Sequence, residues 1–192
     1  MSLTAALLMA PGFEEIEAII CLDLLRRASI PIVSVGFNSG PIIGSRQTKH
    51  IADLSMEDQR HQTWDLLVLP GGVEGVNYLR KEESAREMIL RHYEQGKWIA
   101  AICAAPSLLF EWGILQEKEF ICHPSVQKTL RARGLKEGER VVVSGRLITS
   151  LAAGSSFEFA YEIIRQLKGE EAVGLVDQGV CFSPSLLKSF AK

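Results

Sequence analysis

Short apolar runs recur along the chain, and between them come stretches whose apolar residues follow helical spacing. Thr4 to Met9, Ile32 to Gly36, Leu66 to Leu69 and Trp98 to Ile102 are continuous enough for strands buried on both faces. Glu14 to Ala28, Ser84 to Gln95, the stretch from Pro106 to about Trp112 and Ser155 to Lys168 have helical spacing. Strands alternating with helices of roughly 10 to 15 residues imply βαβ units, hence a mostly parallel sheet with helices on both faces. The expected architecture is a three-layer α/β/α sandwich. At 192 residues, 47% of them hydrophobic, the chain suits one sizeable core, so residues 1–192 are expected to form a single domain. A short strand pair around Ile42 and Ile51, a strand over Phe120 to Cys122, a basic helix over Ser125 to Arg133 and a hairpin around Ser144-Gly-Arg146 complete the pattern. The capping boxes Ser84-x-x-Glu87 and Ser155-x-x-Glu158 mark two helix starts.

In such sheets, ligands bind beyond the carboxyl ends of the strands. Cys103 stands there, where the run Trp98 to Ile102 turns within one residue into Ala104-Ala-Pro106, and Pro106 pre-sets a first helical turn. This is a strand-to-helix elbow, which holds its side chain over the unpaired N–H groups of the next helix. Those donors favour an anion, so the thiol is expected to ionise below its free pKa of roughly 8.5. The competing reading is a small buried hydrophobe. Gly71 and Gly72 follow the third strand, and Pro-Gly-Gly is an ordinary tight turn. Beside a nucleophile, however, the amides of Gly72 and Ala104 can form an oxyanion hole, and Gly71 is expected to line the substrate site.

Glu17 precedes the apolar run Ala18-Ile-Ile-Cys-Leu22, which predicts burial and a carboxyl that keeps its proton above the usual value of about 4.3. A protonated carboxyl can donate to a sulfur anion and lend its proton to a substrate. Glu14 and Glu15 read as a solvated acidic first turn. A helix apolar almost all round, Glu14 to Ala28, also suggests a subunit interface. His123 can relay protons or orient a substrate, or can be a satisfied hydrogen-bonding side chain. Arg27 and Arg46 can line an anion pocket or sit in surface ion pairs. His50, His61 and His92 have polar neighbours and read as surface, and Trp64, Trp98 and Trp112 as core anchors. Cys122 adjoins His123, but adjacent strand residues face opposite ways, so no metal site is expected.

The balance of charge, net −2, gives no electrostatic case for nucleic acid or an anionic membrane. No apolar run approaches the roughly 20 residues of a membrane span. Four cysteines without close pairs, and a start without a charged, cleavable leader, lead to the expectation of a cytoplasmic protein.

Together, Glu14-Glu-x-Glu17, Asp23-x-x-Arg-Arg27, Leu69-Pro-Gly-Gly72, Ala100-Ala-Ile-Cys-Ala104, His123-Pro124 and Ser155-Ser-Phe-Glu-Phe-Ala160 resemble the ThiJ/PfpI superfamily, most of all its DJ-one branch. The resemblance spans nearly the whole chain. It implies a flavodoxin-like fold, a dimer built on the first helix, an oxidation-sensitive Cys103 bonded to protonated Glu17, and arginines near the pocket, with Arg27 and Asp23 reaching across the dimer. Two departures stand out. The protease-like branch has a histidine directly after the cysteine, where this chain has Ala104, and the family's Gly-Pro-Gly is here Ala152-Ala-Gly154. The leading expectation is a cofactor-independent glyoxalase or deglycase acting on 2-oxoaldehydes such as methylglyoxal, free or as protein adducts. One alternative is a redox sensor or chaperone-like protein whose Cys103 becomes a sulfinate. Another is an amidohydrolase or peptidase.

Overall fold

The apolar runs become a seven-stranded sheet in a computed structural model of the chain, which describes residues 3–130 and 134–182, the side chain of Thr129 excepted. In chain order the elements are β1 (Ala5–Met9), α1 (Glu15–Arg27), β2 (Ile32–Gly36), β3 (Ile42–Ile43), β4 (Lys49–His50), β5 (Leu54–Ser55), α2 (Met56–Gln59), β6 (Leu66–Leu69) and α3 (Val73–Lys81). There follow α4 (Glu83–Glu94), β7 (Trp98–Ile102), α5 (Pro106–Glu111), α6 (Pro124–Leu130), β8 (Val141–Ser144), β9 (Leu147–Ser150), α7 (Ser156–Lys168) and α8 (Glu170–Val180). The sheet order is β5-β2-β1-β6-β7-β9-β8, parallel throughout except for β8, which runs antiparallel to β9.

Alternation within the buried strands divides the core in two. Ala5, Leu7 and Met9 of β1 pack with α1, α7 and α8, while Ala6 and Leu8 pack on the other face with α3, α4 and α5. The result is a three-layer, flavodoxin-like sandwich. From β1 the chain moves outward to β2 and later returns on the opposite side as β6. The switch point therefore lies between the carboxyl ends of β1 and β6, where such sheets bind ligands. No helix among the described residues is long and apolar enough to cross a membrane.

Several local expectations are corrected. Phe120 to Cys122 is not a strand: β6 and β9 fill both sides of β7, and Phe120 keeps a single bridge to Leu135. The segment is tied instead by the N–H of Ile121 to the hydroxyl of Thr149 at 3.0 Å. Ser84 does not cap α4, since its hydroxyl donates to Glu82, and the Ser155 hydroxyl pairs with Ser150 and Ala152 before α7 begins. The basic helix runs Pro124–Leu130, and its expected end at Arg133 lies outside the described residues. Three helices were not legible: α2, which is only four residues long, and α3 and α8, where Gly75, Gly174 and Gly179 interrupt the propensity. His92 is fully buried rather than on the surface, its ring bonded to Trp64 N–H and facing Met88 O. Of the tryptophans only Trp64 is buried; Trp98 and Trp112 are half-buried.

Candidate active site

The elbow forms as the sequence requires. β7 ends at Ile102, Cys103 takes a left-handed φ of 65°, and Pro106 opens α5. A left-handed turn at a residue with a Cβ costs on the order of 1 kcal/mol or more. The position survives because Cys103 N–H is held by Ser150 O at 2.9 Å and Cys103 O by His123 N–H at 2.7 Å. Half-buried, Cys103 faces a cavity of about 340 Å³ that Arg46, Gly72, Ala104, His123 and Ser125 also line.

Two hydrogen bonds, one to a backbone carbonyl and one to a side chain, join the start of α1 to the loop after β6. Glu14 N–H donates to Gly71 O at 3.0 Å, and Gly71 N–H donates to Glu17 Oε2 at 2.6 Å. Glu17 is 0% exposed, its Oε1 has no ordinary hydrogen-bond partner, and its carboxyl interacts with the Cys103 thiol. Burial pushes the Glu17 carboxyl up to about 7, against the lowering effect of the Gly71 and Cys103 bonds. A buried oxygen without a donor is where a proton belongs, so geometry and electrostatics agree.

The thiol departs from expectation. Burial first, then the charge of Glu17 and its bond to the sulfur, push Cys103 up to about 12, while the amides of Gly72 and Ala104 pull it down. Desolvation outweighs two N–H donors and a helix of only six residues. The Glu17 contributions last only while that carboxyl is ionised. Moving the thiol proton onto Glu17 exchanges one buried charge for another, so the pair can pass a proton between sulfur and carboxyl without further desolvation.

Glycine is required at both positions of the loop. A Cβ at residue 71 would lie 2.6 Å from Cys103 Cβ and 2.8 Å from Glu17 Oε2. At Gly72, φ is 86° and a Cβ would sit 2.3 Å from Gly12 O. Gly72→Ala should therefore destabilise the protein by roughly 3 kcal/mol, combining left-handed strain with overpacking, as read from the midpoint of urea unfolding.

The structure brings Cys103, Glu17, Gly72, Ala104, Arg46 and His123 together. Gly71 serves the carboxyl rather than open space, since its N–H is already spent on Glu17. Arg27 is not in this cavity: it pairs with Asp23 at 2.6 Å on the outer side of α1, about half-exposed, beside Phe157 and Gly179. A helix turn that buries Glu17 necessarily turns residues 16, 19, 23 and 27 outward, and Ile16 and Ile19 are 51% and 40% exposed.

Two residues escaped the reading of the sequence. Glu15 is not a solvated first-turn carboxylate: burial opposes it, but bonds from Arg46 N–H, Ser45 and Thr48 hold its carboxyl down at about 2. It fastens the loop that carries Arg46 to the cavity. Ser125 bonds to the ring of His123 at 2.7 Å. The turn-forming string Gly44-Ser-Arg-Gln-Thr48 and the two-residue spacing of His123 and Ser125 were the available signals.

The DJ-1/PfpI family profile matches residues 3–166. The chain is 36% identical over 182 residues to "Protein dj-1beta" of Drosophila melanogaster, covering 94% of this chain and 97% of that protein. It is 31% identical over 182 residues to the "Glutathione-independent glyoxalase DJR-1.2" of Caenorhabditis elegans, again covering 94% and 97%. Among solved structures, oxidized Toxoplasma gondii DJ-1 superposes with a TM-score of 0.90 at 31% identity, covering 94% of this chain and 99% of that one.

Proposed function

Because the chain belongs to the DJ-1/PfpI family, we propose that it is a cofactor-independent glyoxalase of the deglycase type, acting on 2-oxoaldehydes such as methylglyoxal or on their adducts with amines and thiols. The observation that carries this reading is the buried Glu17 carboxyl, raised to about 7 and in contact with the half-buried Cys103 sulfur. A relative bearing the name of a glutathione-independent glyoxalase supports it.

The reaction needs one sulfur and one mobile proton. Ionised Glu17 takes the thiol proton as Cys103 Sγ attacks the aldehyde carbon, and the alkoxide is held by the amides of Gly72 and Ala104. Glu17 returns the proton to that oxygen, giving a hemithioacetal. It then removes the hydrogen from the same carbon and delivers it to the neighbouring one, while the hydroxyl proton of the attacked carbon passes to the neighbouring oxygen, which converts the hemithioacetal into a lactoyl thioester. Water releases lactate and restores the thiol, so methylglyoxal plus water balances lactic acid. Arg46 supplies a positive charge beside the cavity. The exposed Ile16 and Ile19 support the companion proposal that two copies pair through α1, where Arg27 and Asp23 would approach the partner.

The test is lactate production from methylglyoxal without glutathione. The rate should climb as pH rises through about 7, because the base is Glu17 in its ionised form. Absence of lactate across roughly pH 6 to 9 sinks the proposal.

The second reading, a sensor in which Cys103 is oxidised to a sulfinate, draws on the oxidized state of the Toxoplasma relative and on the same two amides. Mass spectrometry after mild peroxide, set against turnover, separates the two. The amidohydrolase or peptidase reading draws less support, since Ser125 rather than a carboxylate bonds to the ring of His123.

A further inference from the structure

His123 reaches the cavity from the start of α6, and among the described residues its ring is held at Nδ1 only. Nδ1 accepts the backbone N–H of Ser125 at 3.1 Å and lies 2.7 Å from the Ser125 hydroxyl. A backbone amide can only donate, so Nδ1 presents its lone pair there, and the proton of the neutral ring belongs on Nε2. That nitrogen takes no part in the contact with Ser125, and both His123 and Ser125 line the cavity.

We propose that Ser125 is a positioning residue that fixes His123 with its proton on Nε2, so that His123 donates a hydrogen bond to the substrate oxygen and does not act as a base. The proposal rests on the glyoxalase reading. It divides labour as the chemistry demands: moving hydrogen between adjacent carbons passes through an enediolate, which needs one carboxylate to carry the proton and one neutral donor to hold the oxygen. Glu17 fills the first role through its contact with the Cys103 sulfur. His123, unable to offer a lone pair from Nε2, fills the second. The amides of Gly72 and Ala104 lie beside the sulfur and therefore serve the oxygen on the attacked carbon, which leaves the neighbouring carbonyl oxygen to His123.

Two measurements test this, one of them independent of activity. Long-range ¹⁵N–¹H spectra of the histidine rings should show His123 protonated on Nε2 in the wild type and, because the backbone N–H of residue 125 remains, in Ser125→Ala as well. In turnover of methylglyoxal, Ser125→Ala should lose roughly tenfold in kcat with KM within about twofold, and Ser125→Thr, which restores the hydroxyl, should recover most of it. A glutamine amide places a donor where Nε2 stands but is no base. His123→Gln should accordingly retain at least about tenfold more activity than His123→Ala. A wild-type ring protonated on Nδ1, a kcat unmoved in Ser125→Ala, or His123→Gln no better than His123→Ala each overturns the proposal. If the wild-type protein makes no lactate, the glyoxalase reading falls and the catalytic role of His123 falls with it, while the spectrum still decides the tautomer.

Discussion

Replacing Cys103 by serine should reduce lactate formation from methylglyoxal by at least about 10³-fold while leaving the fold in place. The hydroxyl is nearly the size of the thiol and meets the same left-handed backbone, so unfolding should shift by no more than about 1 kcal/mol. The chemistry does not survive the exchange. A serine hydroxyl holds its proton far more tightly than a thiol, and a carboxylate with a pKa near 7 is too weak a base to remove it in the ground state. The amides of Gly72 and Ala104 would remain, but with nothing nucleophilic between them. Turnover within tenfold of wild type, in a variant whose melting is unchanged, would remove Cys103 from the mechanism and with it the whole reading.

Glu17→Gln should move activity and stability in opposite directions. Activity should fall by roughly 10²–10⁴-fold, because glutamine carries no proton between carbons. Stability should rise at neutral to alkaline pH. In the folded protein the carboxyl titrates near 7, against 4.5 when free, so the folded state binds the extra proton between those values. Folding therefore weakens as pH climbs through that window, by roughly 3 kcal/mol in all, and the deficit persists above pH 7. Glutamine removes it, since its amide oxygen can still accept the Gly71 N–H at no cost in buried charge. At about pH 8 the variant should melt some 6–12 °C higher than wild type, and below about pH 4.5 the two should coincide. A variant that is both inactive and less stable at pH 8 would place the ionised carboxylate in a favourable environment that the burial of Glu17 does not provide.

How far the sequence disclosed the site depended on whether each property is local. The elbow was legible because the run Trp98 to Ile102, the small residues and Pro106 are consecutive, and backbone geometry follows from consecutive residues. The burial of Glu17 was legible for a related reason: the apolar residues after it fix which way the helix must face. The state of the thiol was not, since desolvation is summed over atoms from α1, the loop after β6 and the elbow, and it outweighs the two amides that could be foreseen. Arg27 illustrates the same limit. Its spacing from Glu17 on the helix turns it away from the cavity, where it meets Asp23. His92 sits among Arg91, Tyr93 and Glu94, and nothing in that string announces a ring sealed under Trp64.

Cys103 occupies a conformation that favours glycine, and Glu17 lies ionisable in a place that favours an uncharged side chain. A laboratory lineage propagated for heat tolerance alone would be expected to shed these two side chains early, each loss welcomed by the scaffold. Persistence of both through such an ordeal would mean that the scaffold gains something from them that their surroundings do not reveal.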